Sequence, residues 1–106
     1  MEEEKILKFE CTLDRIIFPK YAKKVDSGDF AIFNTIVTRR LENCEDELYS
    51  VKLKGNVCTL EYGTTYKIFC KLADVHEIYG ATYELVYISK CIDISSKDKQ
   101  KEFLKN

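Results

Sequence analysis

Enzymatic chemistry needs a nucleophile beside a base, paired carboxylates in a pocket, or metal ligands at usable spacing, and no such pattern stands in this chain. His76 is the single histidine, it precedes the Tyr79-Gly80 turn, and no cysteine lies near it in sequence. The cysteines Cys11, Cys44, Cys58, Cys70 and Cys91 are an odd set without Cys-x-x-Cys spacing, mostly among apolar residues. They read as reduced, small hydrophobes, and a thiol or metal centre on Cys58, Cys70 and Cys91 would need ligands gathered from remote segments. Glu45, Asp46 and Glu47 read as a solvated acidic loop, and no G-x-x-x-x-G-K-[ST] cradle for phosphates is present. The chain itself is therefore not expected to be an enzyme or to need a cofactor.

What the residue types do offer is a binding surface. From Pro19 to Arg40 the basic residues Lys20, Lys23, Lys24, Arg39 and Arg40 face only Asp26 and Asp29, a net charge of +3. Tyr21 lies within that segment, and Lys52, Lys54 and Tyr79 follow it. Lysines track phosphates and aromatic rings stack bases, at about 1 to 3 kcal/mol per stacked base, which is what a single-stranded nucleic acid requires. Phe33 and Phe69 read as lying opposite the main apolar set of their strands, where they would either stack bases or be covered by a neighbouring element. The candidate binding set is thus Lys20, Tyr21, Lys23, Lys24, Phe33, Arg39, Lys52, Lys54 and Tyr79. Against it stand the near balance of 17 basic and 18 acidic side chains and the acidic run at 42–47, which leave no polycationic footprint. The alternative is a module that binds protein and no nucleic acid, with Phe33, Phe69 and a terminal helix at 95–106 forming the contact.

The elements that must position these residues are strands. The 106 residues, 45% of them hydrophobic, suffice for one domain with one core. Period-two alternation marks residues 7–19, where Leu7, Phe9, Cys11 and Leu13 alternate with Lys8, Glu10, Thr12 and Asp14. Residues 30–41 are rich in β-branched side chains and apolar on both faces near Phe33. Residues 49–55 set Tyr49, Val51 and Leu53 against Ser50, Lys52 and Lys54. Residues 65–73 alternate around Tyr66, Ile68, Cys70 and Leu72, and residues 82–94 around Tyr83, Leu85, Tyr87, Ser89 and Cys91. Turn residues separate the runs: Asp26 to Asp29 with Gly28, the acidic loop, Tyr62-Gly63 and Tyr79-Gly80.

From Ser95 the pattern changes to a short charged helix with Asp98 at capping-box spacing and Phe103 and Leu104 as its only apolar residues. It reads as the start of a helix leading to further domains of a longer protein. The expected architecture is all-β: a five-stranded oligonucleotide-binding-like (OB-like) barrel over residues 1–94 with a short C-terminal helix at 95–106. A sandwich would call for about seven strands. No leader and no apolar run of membrane-spanning length is visible, so no membrane contact and a cytoplasmic location are expected.

The later strands carry more specific motifs. Val51, Lys52, Leu53, Lys54 and Gly55, then Leu60, Gly63 to Tyr66, and the run His76, Glu77, Ile78, Tyr79, Gly80, Ala81, Thr82, Tyr83, Glu84, Leu85 resemble the N-terminal domain of RecD-like DNA helicases, relatives of the exodeoxyribonuclease V alpha subunit. In that family a strand ending in Val-x-Gly precedes a Leu-x-x-Gly-x-x-Leu segment and a His-x-x-Tyr-Gly-x-x-Phe-x-Val hairpin, with Tyr83 here in place of Phe and Leu85 in place of Val. Upstream, residues 12–18 and the run from Gly28 to Phe33 are similar to the family's first strand and its entry into the second. The likeness extends over residues 8–94. It departs in the longer, more basic first loop and in the acidic run at 42–47. It implies an accessory module of an ATP-driven superfamily 1 helicase acting in DNA repair, whose partners are single-stranded DNA and the motor domains of the same parent chain. Catalysis would belong to those motor domains.

Overall fold

A computed structural model of the chain describes residues 5–78 and 80–91, and every described element is a strand. β1 (Ile6–Phe18) buries Leu7, Phe9, Cys11 and Leu13 in strict alternation, then changes parity. Asp14 and Arg15 are both exposed and Ile16 is buried, because the pairing register shifts between Leu13 and Arg15. Such a bulge adds a residue to one strand, bends it and increases the local twist. β2 (Lys24–Val25) and β5 (Leu60–Glu61) are two residues each and pair only with one another. The long strands are β3 (Phe30–Glu42), β4 (Ser50–Asn56), β6 (Thr65–His76) and β7 (Gly80–Lys90).

The five long strands close into a ring in the order β1-β3-β4-β7-β6, with β6 returning to β1. Four of the five pairings are antiparallel; β4 and β7 run parallel through just two residue pairs, Leu53 with Tyr83 and Lys54 with Glu84. Inside the ring lie Phe9, Cys11, Ala31, Phe33, Val51, Leu53, Tyr66, Ile68 and Cys70. The one buried polar side chain among the described residues, Thr35, donates its hydroxyl to the Val51 carbonyl at 2.9 Å, so its burial leaves no unmet hydrogen bond. The β2–β5 clip plugs one end with Val25, Val57 and Leu60. Tyr66 locks that plug from below: its hydroxyl accepts from the Glu61 amide at 2.9 Å and donates to the Thr59 carbonyl at 3.0 Å. Glycines answer the tight turns, with Gly63 at φ +83° and Gly80 at φ +77°.

Several expectations change. Phe33 is fully buried on the core face with Ala31 and Thr35, while Ile32 and Ile36 of the same strand point outward, so the two apolar faces of this strand are the reverse of those inferred. Tyr49 lies before β4 and is exposed, with Arg40 over its ring at 4.9 Å, instead of continuing the Val51–Leu53 face. In β7 the alternation breaks: Phe69 pairs with Tyr87 but Cys70 with Leu85, which leaves Val86 as an extra residue. Tyr83, Leu85 and Ile88 pack on the core and Tyr87 turns outward against Phe69, ring centroids 5.0 Å apart. β6 and β7 extend beyond the ring as a hairpin arm carrying exposed Leu72, Val75 and Ile78. The helix expected at 95–106 lies outside the described residues, as does the end of the last strand at 92–94. Among the described residues no helix is long and apolar enough to cross a membrane.

Candidate nucleic-acid interface

The outer face of β3 and β4 is built by register. Ile32 lies opposite Lys54, Asn34 opposite Lys52 and Ile36 opposite Ser50, while Phe18 at the end of β1 lies opposite Ile32 from the other side. Phe18 and Phe30 flank the first loop on this face, 50% and 45% exposed, with ring centroids 6.2 Å apart and planes tilted by 60°. An open groove of about 490 Å³ runs from Phe30 past Lys54, Gly55 and Asn56 to Glu84 and Leu85. The loop base is tied to the end of β4: the Gly28 amide donates to the Val57 carbonyl at 2.7 Å, the Val57 amide to Asp29, and Asn56 Nδ2 to the Gly28 carbonyl.

The first loop itself presents Tyr21, 88% exposed at φ +65°, with Lys20 Nζ 5.4 Å from its ring centroid. A bulky side chain in the left-handed region is a backbone outlier costing on the order of 1 to 3 kcal/mol, of the kind that collects at functional sites. Lys20 and Lys23 are exposed, and Lys24 is exposed on β2 across from Glu61. Glu61 also bonds Lys90 at 3.0 Å, and the Lys90 hydrogen bond and charge, helped by Lys24, hold its carboxyl below the ordinary range. Lys24 is thus partly committed to a neighbouring acid.

Lys52 and Lys54 are half-buried on the outer face; Lys54 lines the groove with Phe30, and Lys52 lies further along β4, opposite Asn34. Arg39 is exposed, opposite Glu10 of β1 and seven residues along β3 from Ile32, about 23 Å at strand rise, so it shares no site with Lys54. Phe33 cannot stack a base because no part of its ring reaches solvent. Tyr79 lies outside the described residues. The structure therefore gathers Lys20, Tyr21, Lys23, Lys52 and Lys54 along one face and its bordering loop. It adds two residues that alternation did not single out, Phe18 and Phe30. Their signal was their position: both are aromatic and each stands at the foot of the first loop.

The thiols take no part in this face. Burial pushes Cys11 and Cys70 up to about 12 and raises Cys58 and Cys91 as well, so they are poor nucleophiles at neutral pH. Among the described residues no three His, Cys, Asp or Glu side chains cluster as metal ligands. His76 Nδ1 accepts the Ile78 amide at 3.1 Å, which shapes the start of the arm's tip. Comparison with family models, curated proteins and solved structures finds no match for this chain.

Proposed function

We propose that the ring is an OB-like barrel and that it serves as an accessory module of a RecD-like DNA helicase, contacting single-stranded DNA through the β3–β4 face and the first loop. The ring order and the single parallel pair support the architecture: in order of the long strands it reads 1-2-3-5-4, with the third and fifth parallel. OB barrels bind through the faces of their second and third strands and the loops joining first to second and fourth to fifth, which here are β3, β4, the first loop and the arm tip. The observation that carries the reading is the exposed Phe18–Phe30 pair beside Lys54, bordered by Tyr21 in a strained conformation with Lys20 against its ring. Exposed rings offer sequence-tolerant stacking and the lysines offer phosphate contacts. ATP hydrolysis and translocation would lie with the motor domains of the parent chain, and the module would act in the cytoplasm, in DNA repair.

Fluorescence anisotropy of labelled oligo-dT at low and physiological salt tests this. Salt-sensitive binding in the micromolar range or tighter is expected, and no binding even at low salt would refute it. The second reading is a module that docks on protein and leaves DNA alone. Leu72, Val75 and Ile78, all exposed on the arm, favour it.

A further inference from the structure

We infer that the groove between Phe30, Lys54 and Glu84 receives a guanine base. The inference rests on the strand-binding reading of this face and specifies what it selects. Lys54 and Glu84 are register neighbours on the parallel β4–β7 pair, so their backbones run about 4.8 Å apart and both side chains line the groove. Among the described residues neither enters a salt bridge. A cationic donor and a carboxylate acceptor thus stand side by side.

A carboxylate accepts two parallel N–H bonds. Guanine is the base with two adjacent N–H donors on its Watson–Crick edge, at N1 and at the 2-amino group, and its O6 acceptor lies next to them. Placing N1–H and N2–H on Glu84 brings O6 toward the Lys54 ammonium. Adenine and cytosine put a ring-nitrogen acceptor where Glu84 needs a second donor, and thymine has a single N–H. Asn56, oriented by the bond from its Nδ2 to the Gly28 carbonyl at 2.7 Å, adds its amide oxygen and one remaining N–H to the lining. Phe30, braced by Phe18, supplies a ring on which the base stacks. Gly55 lets β4 and β7 approach closely at the groove, where a Cβ would meet Leu85 Cβ at 2.9 Å.

The test compares labelled dT oligomers carrying one central guanine, adenine, cytosine or thymine, in anisotropy at fixed salt, with the wild-type protein and Glu84→Gln. Guanine should tighten binding on the order of 10-fold over thymine, the discrimination of one bidentate pair. Glu84→Gln should remove that preference, so that the guanine and thymine oligomers bind alike, while the lost negative charge shifts the affinity of all four oligomers together; the exposed position of Glu84 means that the variant leaves no buried gap. Equal affinities for the four oligomers overturn the guanine site while the strand-binding reading stands. If no oligomer binds, amide NMR titration with 5′-GMP and 5′-TMP decides. Shifts at Lys54 and Glu84 with GMP alone would support the site with a free nucleotide as its source, and their absence would refute it.

Discussion

Phe30 and Phe33 stand three positions apart in one strand, so their side chains leave the sheet on opposite sides. Phe33→Ala should therefore lower the unfolding free energy by about 3 to 5 kcal/mol, read from a urea midpoint, as for other buried phenylalanines. Phe30→Ala should spare most of that stability and weaken oligo-dT binding by about 1 to 3 kcal/mol. A Phe30→Ala protein with unaltered DNA affinity would remove the ring from the site. The assignment was hard to read from sequence because Ile32 and Ile36 form as apolar a set as Ala31 and Phe33, and only the neighbours across the ring decide which set is inside. The thiols carry a different prediction. Cys11 and Cys70 titrate near 12 when folded against about 9 when exposed, so between those values the unfolded chain has lost protons that the folded chain keeps. Stability should be flat below pH 9 as far as these thiols are concerned and fall steadily as pH rises from 9 toward 12. Replacing both with Ala should flatten that slope in urea titrations.

At the level of the strand, Gly55 is the position where β4 and β7 come too close for a side chain. Its φ is +149°, and a Cβ there would meet Leu85 Cβ at 2.9 Å. Gly55→Ala should destabilise by about 1 to 3 kcal/mol, and adding Leu85→Ala should not restore the loss, because the backbone conformation stays unfavourable. Full rescue by the second substitution would mean that the clash alone matters. The Tyr66 hydroxyl is a second strut: Tyr66→Phe leaves the Thr59 carbonyl and the Glu61 amide without their partner and should cost about 1 to 3 kcal/mol, with faster amide exchange at Glu61. Period-two patterning located all five long strands, since their cores alternate faithfully over four to seven residues. It could not locate β2 and β5, which are too short to have a period, nor the bulges at Asp14 and Val86, which reverse parity for reasons set by strand pairing. Glu84 is silent in the sequence for the same reason, as its place beside Lys54 exists only once the ring closes.

For the molecule as a whole, the near-neutral charge of −1 means that binding must come from local arrangement and not from a general positive field. If Lys20, Lys23 and Lys52 each neutralise a phosphate, uncharged substitutions should lower the salt slope of oligo-dT binding by about 0.7 for every lysine replaced. A slope unchanged in the triple variant would exclude all three from the interface. The lysines were legible as a cluster from the first loop onward, but which of them share a face with the rings depended on register, and that separated Arg39 from Lys54. One further property follows from the two-residue seam between β4 and β7. The sheet β1-β3-β4 has two edges, the one on β1 covered by β6 and the one on β4 covered only by Tyr83 and Glu84, so whenever the seam opens the hydrogen-bonding groups of β4 become available to another chain. The charged side chains along β4, Lys52 and Lys54, disfavour such edge-to-edge pairing.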